Sequence, residues 1–115
     1  MSQDCIFCKI ASKEISVQPV YEDDKIIAFH DINPAAPVHV LVIPKKHIAG
    51  LSDIEESDKE LMGHLFSALP SIANQLGLAD NGYRVVVNTK NHGGQTVYHL
   101  HCHLLGGRFM SWPPG

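Results

Sequence analysis

In the segment TVYHLHCHLL, residues 96–105, histidines alternate with apolar side chains. This segment constrains the fold more than any other feature of the chain. Side chains on a β-strand point alternately to opposite faces, so the segment predicts a strand over residues 96–105. On that strand His99, His101 and His103 share one face, while the leucines and the cysteine between them share the other. The apolar set belongs in a core, so we expect the three imidazoles on the more open face.

Four other segments predict strands because they are rich in β-branched and apolar residues: 20–21, 26–29, 38–43 and 83–88. Residues 5–13 predict a short helix, and the prolines of NPAAP, residues 33–37, predict a turn. Pro44 is expected to end the third strand, and the turn before residue 96 contains Gly93 and Gly94.

One long helix is predicted after residue 57. Ser57 and Glu60 have the spacing of a capping box, in which two side chains satisfy free backbone N–H groups at a helix start. Gly77 is a suitable C-terminal stop, and Pro70 is expected to kink the helix because it removes a hydrogen bond. The expected apolar face comprises Leu61, Met62, Leu65, Phe66, Leu69, Ile72, Ala73 and Leu76. The pattern predicts an α+β fold, a mostly antiparallel sheet with one long helix packed on it.

Length and charge exclude several classes of protein. We expect residues 1–115 to form one domain, with no nucleic-acid partner because the net charge is −3 and the nine basic residues are scattered. No run approaches the roughly 20 apolar residues of a membrane span, so no membrane partner is expected. Three cysteines without a recognisable secretory signal indicate reduced thiols and a cytoplasmic protein.

The histidine row has two chemical interpretations. Alternate Cα atoms on a strand lie ~6.6 Å apart and the outer pair ~13 Å apart, so neighbouring histidines can share one metal ion but all three cannot. The alternative is nucleophilic and acid–base work at phosphorus, since neutral imidazole is abundant at pH 7. The preceding Gly93, Gly94 and Thr96 favour phosphate, because glycine backbone N–H groups and a hydroxyl can approach an anion.

HLHCHLLGG, together with CIFCKI, AFHDINPAAPVHVLVIPKKHI, NGYRVVVN and GGQTVYH, resembles the histidine triad (HIT) family of nucleotide-binding hydrolases and transferases. FHDI, VIPKKHI and the ending WPPG are most similar to its HINT branch, the nucleoside phosphoramidases. The resemblance covers nearly the whole chain.

The resemblance implies a role for each matching residue. His101 would attack the α-phosphorus, His103 would bind phosphate oxygens, and His99 would orient or ligate at the rear of the site. Phosphate or leaving-group contacts fall to Gly94, Gln95 and Thr96, where Thr96 replaces the usual serine and keeps the hydroxyl. The ribose would bind Asp31, with Asn88 nearby, and the base pocket would comprise Ile6, Phe7, Phe29, His30 and Ile32.

Structural alternatives stay open for several of these residues. Apolar side chains at strand spacing are commonly core, and Asp31 before a proline-rich turn can cap that turn. His39 is interpreted as a structural hydrogen-bonding residue, and His64 and His92 as surface residues.

Cys5 and Cys8 form a C-x₂-C pair whose spacing lets two thiolates bind one ion. His47 and His99 are candidates for the other two ligands, and some family members bind zinc with such a set. A zinc ion here would be structural, and the alternative is two metal-free thiols beside a short helix. No organic cofactor is expected.

The resulting hypothesis is a hydrolase of purine nucleoside phosphoramidates that forms a nucleotidyl-histidine on His101. The alternatives are a non-catalytic nucleotide-binding or scaffold protein, a dinucleoside polyphosphate hydrolase and a hydrolase that uses zinc-bound hydroxide. The resemblance also implies a homodimer with a continuous sheet and the tail RFMSWPPG near the partner's site. Trp112 supports this, because an indole at a terminus is costly to expose.

Overall fold

Five strands form an antiparallel sheet in the computed structural model, which describes residues 4–115. The strands are β1 (Pro19–Glu22), β2 (Ile26–His30), β3 (Val38–Pro44), β4 (Arg84–Val86) and β5 (Cys102–Gly106). The helices are α1 (Ile6–Ala11), α2 (Lys59–Gln75) and the single turn α3 (Lys90–Gly93), with 3₁₀ turns at Leu51–Asp53 and Glu56–Asp58. Across the sheet the order is β1-β2-β3-β5-β4, so the predicted α+β architecture is confirmed.

Both faces of the sheet are covered, each by one helix. On one face, alternate residues of β2, β3 and β5 pack against the buried side of α2, around Val40, Leu104 and Ile72. On the other face, Phe29 and Leu41 pack against Phe7 of α1. This double burial explains why β3 is an almost unbroken apolar run rather than an alternating one.

The start of α2 differs from the predicted capping box. Residues Glu56–Asp58 form a 3₁₀ turn, so Ser57 lies inside that turn and is not the N-cap. The box is formed instead by Glu55 and Asp58, and Asp58 Oδ2 accepts a hydrogen bond from the Glu55 backbone N–H at 2.9 Å. At the other end the prediction is correct, because Gly77 follows the helix with a φ of 78°.

One further detail of α2 differs from the prediction. Pro70 lies inside the helix, as expected, on its exposed side. Phe66 is 48% exposed and does not belong to the buried face. The buried face of α2 consists of Leu65, Leu69, Ile72 and Ala73.

The predicted strand over residues 96–105 is wrong in its first half. β5 begins only at Cys102, because the Leu100 N–H donates to the Ile48 carbonyl at 2.7 Å and so the segment before β5 runs beside residue 48. His99 and His101 therefore precede the strand, and they are buried, at 0% and 6% exposure, not on an open face. The apolar half of the prediction is correct, since Leu100, Cys102 and Leu104 are all buried.

Over residues 4–115, we find no helix that combines the length and apolar character needed to span a bilayer.

Candidate active site and metal centre

A cavity of about 560 Å³ opens between α1 and the face of the sheet that carries Phe29 and Leu41, a size that suits a small-molecule ligand. Nine of the predicted site residues line it: Ile6, Phe7, Phe29, His30, Asp31, Ile32, Thr96, His101 and His103. Phe7 and Phe29 are core residues that also form part of the cavity wall, with ring centroids 5.8 Å apart. The cavity therefore has an apolar floor and an imidazole-bearing wall.

His101 is held by the backbone that precedes it. Its Nδ1 lies 2.7 Å from the His99 carbonyl oxygen, which can only accept, so Nδ1 carries the proton. In the neutral ring Nε2 then keeps its lone pair. The edge of the Phe7 ring packs on His101 with centroids 5.1 Å apart, which fixes the plane of the imidazole. The backbone carbonyl and the Phe7 ring thus hold His101 in one orientation, with Nε2 as the nitrogen that can act as a base or nucleophile.

His103 has the opposite tautomer, and His39 is the reason. The backbone N–H of Ala35 donates to His39 Nδ1 at 2.9 Å, so a neutral His39 carries its proton on Nε2. That Nε2–H donates to His103 Nδ1 at 2.9 Å, which leaves the His103 proton on Nε2. His103 Nε2 is buried and has no hydrogen-bond partner among residues 4–115. An unpartnered buried donor at a cavity wall is matched to an acceptor on a ligand.

Burial lowers the pKa of His103 to about 4, and the neighbouring His101 and His39 act in the same direction. The ring is therefore neutral at pH 7, and it offers a hydrogen-bond donor without a positive charge.

The carboxylate of Asp31 is shared between a turn and the cavity. Oδ1 accepts the Asn33 backbone N–H at 2.8 Å, which is the turn-capping role considered above. Oδ2 lies 3.4 Å from His39 Nε2, and the residue lines the cavity. One oxygen of Asp31 thus faces the histidines while the other holds the turn.

Gln95, Gly94 and Asn88 are not among the residues that line the cavity. The Gln95 amide is buried and fully engaged: Oε1 accepts the Lys90 backbone N–H at 2.8 Å, and Nε2 donates to the carbonyls of Ala49 and Val97. In this structure Gln95 braces the loop that carries Thr96, which is exposed at the cavity.

Behind the cavity, Cys5, Cys8, His47 and His99 bring four donor atoms within 4.8 Å of one another. The Nδ1 atoms of His47 and His99 are 3.2 Å apart, and Cys8 Sγ lies 3.2 Å from the first and 3.5 Å from the second. Cys5 Sγ is 3.3 Å from His99 Nδ1. Nitrogen and sulfur ligands at the corners of a zinc tetrahedron lie about 3.3–3.6 Å apart, so the four residues fit a zinc ion.

The protonation of His99 supports the same conclusion. Its Nε2 donates to the Pro44 carbonyl at 2.8 Å, so in the neutral ring the Nδ1 lone pair faces the thiols. Burial lowers the pKa of His99 to about 4, which keeps the ring neutral, as a metal ligand must be. His99 therefore faces the donor atoms of Cys5, Cys8 and His47, while His101 and His103 line the cavity.

A second cluster, Asp31, His39 and His103, also brings its polar atoms together. His39 Nε2 carries a proton there and His103 Nδ1 accepts it, so neither imidazole offers a free lone pair within this cluster, which is a hydrogen-bonded chain.

Sequence reasoning missed seven residues that line the cavity: Ile10, Ile15, Ser16, Val17, Asn33, Leu41 and Val97. Nothing in the pattern of residues 15–17 indicated a wall, because they form no helix or strand. His39 was interpreted as a structural hydrogen-bonding residue, and its hydrogen bond to His103 makes that structure part of the site. The detectable signal was a buried polar residue within the apolar run of β3. His64, expected at the surface, is partly buried and its Nε2 lies 2.7 Å from Asp23 Oδ2.

The protein is therefore an α+β protein whose antiparallel sheet places two imidazoles at a cavity. A cluster of two cysteines and two histidines lies behind that cavity. The HIT domain family model matches residues 12–110, and the chain belongs to the HIT domain family.

Relatives and solved structures agree with this assignment. A HIT-like protein of Synechococcus elongatus is 56% identical over 115 residues, covering all of both chains. A 14 kDa zinc-binding protein of Zea mays is 54% identical over 96% of this chain and 87% of its own length. The crystal structure of a HIT family hydrolase from Legionella pneumophila superposes with a TM-score of 0.93 at 52% identity, covering 96% of this chain and 99% of the other.

Proposed function

We propose that the protein hydrolyses purine nucleoside phosphoramidates, as its resemblance to the HINT branch implies. The observation that carries the proposal is the opposite tautomers of two adjacent imidazoles at one cavity. His101 offers a lone pair on Nε2, and His103 offers an unpartnered Nε2–H. A phosphoramidate needs both, a nucleophile for phosphorus and a donor for the non-bridging oxygens.

In the proposed first step, His101 Nε2 attacks the α-phosphorus. A P–N bond to the enzyme forms, the P–N bond to the leaving amine breaks, and the amine departs after taking a proton from solvent, which the attacking water of the second step returns. The imidazole gains positive charge, and the His99 carbonyl that accepts the Nδ1–H stabilises it. Water then attacks phosphorus, the nucleoside monophosphate leaves, and His101 regains its lone pair.

The other cavity residues have supporting roles in this proposal. Phe29 and the exposed Ile32 would enclose the base, and Asp31 Oδ2 would accept hydrogen bonds from the ribose diol. The Thr96 hydroxyl would contact the phosphate or the leaving amine. The roles of Gly94, Gln95 and Asn88 would be indirect, through the loop that carries Thr96.

The test is turnover of an adenosine phosphoramidate by the wild type and by His101→Ala. We expect His101→Ala to lose at least about 1,000-fold in kcat while it still binds AMP, because the covalent route is removed and the pocket is not. The exposed His92→Ala is the matched control and should retain full activity. Retained turnover in His101→Ala would refute the assignment.

Two alternatives predict different results in the same assay. A non-catalytic nucleotide-binding protein would yield no nucleotidyl-histidine when the wild-type reaction is quenched and analysed by mass spectrometry. A dinucleoside polyphosphate hydrolase would cleave diadenosine polyphosphates faster than the phosphoramidate, which a panel of both substrate types would detect.

We also propose that Cys5, Cys8, His47 and His99 hold one structural zinc ion, in keeping with the name of the Zea mays relative. Four protein donors leave no open position for a reactive water, which disfavours zinc-bound hydroxide as nucleophile. Elemental analysis should find about one zinc per chain in the wild type and a marked loss in Cys5→Ser. Metal-free wild-type protein would refute this site.

Finally, we propose a homodimer in which the C-terminal tail contacts the partner. Trp112 and Phe109 are 78% and 97% exposed, and such large apolar surfaces are typical of interfaces. The tail is held at the sheet edge, where the Arg84 side chain donates to the Ser111 carbonyl at 3.0 Å. A solution mass equal to one chain, 12.6 kDa, would refute the dimer.

A further inference from the structure

We propose that Cys5 and Cys8 form a redox switch on the nucleotide site, in which Phe7 is the positioning residue that transmits the state of the two thiols to His101. The inference rests on the proposed function, since it concerns regulation of that same cavity. Its basis is that Phe7 lies between the two cysteines in the sequence and contacts both His99 of the donor cluster and His101.

Phe7 occupies a central position between the two sites. Its ring meets His99 at a centroid distance of 5.9 Å and His101 at 5.1 Å, both edge to face. It is buried and also lines the cavity. Because α1 contains only six residues, its position depends on what holds the thiols at residues 5 and 8.

A second connection runs through His99. Its side chain is a donor of the metal centre, and its backbone carbonyl accepts the His101 Nδ1–H at 2.7 Å. When the thiols of Cys5 and Cys8 are oxidised, the His99 ring loses two of the four groups that fix its position. Both the packing and the hydrogen bond that orient His101 therefore depend on the reduced pair.

The chain directs oxidation to this pair. Cys5 and Cys8 are partly exposed and adjacent on one turn, whereas Cys102 is 1% exposed in the core beneath α2. Cys5 also accepts the Cys8 backbone N–H at 3.3 Å, which keeps the two sulfur atoms on the same side of the turn. The two sulfur atoms lie within 4.8 Å of each other, so small side-chain rotations can bring them to bonding distance.

Hydrogen peroxide is the oxidant in this proposal. The two thiolates give it two electrons, so that an S–S bond forms between Cys5 and Cys8 while the O–O bond breaks. Two protons from solvent convert its oxygens to two water molecules. The disulfide sulfurs carry no thiolate charge and no longer act as metal ligands, so the ion is released. A dithiol reductant reverses the step by thiol–disulfide exchange.

The experiment treats the zinc-loaded full chain with hydrogen peroxide and records three quantities. These are free thiols, zinc released to a chromogenic chelator, and affinity for AMP by calorimetry. We expect free thiols to fall from three to one, zinc to appear in step, and AMP binding to weaken by about tenfold or more as the oriented state loses population. Dithiothreitol with zinc should restore all three.

Two variants separate the switch from general damage. Cys102→Ala should behave like the wild type, except that its two thiols fall to none. Phe7→Leu should still form the disulfide and release zinc, but its affinity for AMP should change less than about twofold on oxidation, because the coupling ring is gone.

Each other result has one meaning. A Cys5–Cys8 disulfide that leaves the affinity of the wild type for AMP unchanged would overturn the switch, although the proposed function would stand. A full affinity change in Phe7→Leu would overturn the role of Phe7. If the reduced protein binds no AMP, the proposed function fails, and the switch that rests on it fails too.

Discussion

His101 and His103 lie side by side, with ring centroids 4.9 Å apart, and their hydrogen bonds hold them in opposite tautomers. The His99 carbonyl accepts from Nδ1 of the first ring, and His39 donates to Nδ1 of the second. His101 Nε2 consequently carries a lone pair, and His103 Nε2 carries a proton that it can donate. Two chemically identical side chains thus acquire different hydrogen-bonding properties, one from a backbone carbonyl and the other from the His39 side chain.

The tautomers give a direct spectroscopic prediction. At pH 7, ¹⁵N–¹H correlation spectra of the imidazoles should show His101 protonated on Nδ1 and His103 protonated on Nε2. The exposed His92 is an internal control, because solvent does not select one of its two tautomers. Identical tautomers for His101 and His103 would contradict the division of roles proposed here.

His39 should act as a positioning residue. Replacing it with Phe removes the donor to His103 Nδ1 and releases the tautomer, at a cost of about 1–2 kcal/mol, or roughly tenfold in kcat. Because His39 does not line the cavity, the KM should change much less than kcat. His39→Gln, which keeps a side-chain amide donor, should restore part of the rate.

Steady-state kinetics on the phosphoramidate, with the same imidazole spectra, will check this. An unchanged kcat in a folded His39→Phe variant would show that His103 needs no partner. A rise in KM alone would assign His39 to substrate binding instead.

The sheet and α2 could be predicted from the sequence because their apolar residues follow regular patterns over long, uninterrupted segments. β3, for example, is buried on both faces and shows as a continuous apolar run at residues 38–43. The strand prediction was wrong for the segment before β5. Its side chains alternate as in a strand, but a long-range hydrogen bond from Leu100 to Ile48 keeps the segment off the sheet. Periodicity is a local property, and it does not report such contacts.

The candidate site was predictable to a different degree. His101 and His103 were recognisable from spacing and resemblance, and both line the cavity. The tautomers were not predictable, because each depends on a carbonyl or a ring brought in by another element, such as His39 from β3. The role of Gln95 was also hidden, since only the fold shows that Ala49 and Val97 engage its amide.

The half-buried, neutral His103 should make the protein sensitive to moderate acid. Its pKa is about 4 in the folded protein, below the value of about 6.5 for an unfolded histidine. Between these values, as the pH falls, the unfolded chain binds a proton that the folded chain does not, so the free energy of unfolding decreases. The window is therefore from about pH 6.5 down to pH 4, with no effect near pH 8.

His103→Gln removes this contribution. Between pH 7 and pH 5 the variant should lose about 1 kcal/mol less stability than the wild type in urea unfolding, allowing for partial solvent screening. His92→Gln, at an exposed site, should lose as much as the wild type. Equal losses in all three proteins would mean that His103 is protonated in the folded state.

Two glycines should respond to alanine in opposite directions. At Gly106 of β5, an added Cβ would lie 2.6 Å from Cδ2 and 2.7 Å from Cδ1 of the buried Leu78, so this side chain would have to shift. We expect Gly106→Ala to destabilise the protein by about 1–3 kcal/mol through this overpacking, and Leu78→Ala to be less damaging in the Gly106→Ala background than in the wild type.

At Gly63 of α2, an added Cβ meets nothing within 4 Å, and the backbone is helical. Gly63→Ala should stabilise the protein by about 0.5–1 kcal/mol, because alanine loses less conformational entropy in a helix. Urea unfolding of the four variants checks both effects, and a neutral Gly106→Ala would show that Leu78 moves aside without cost.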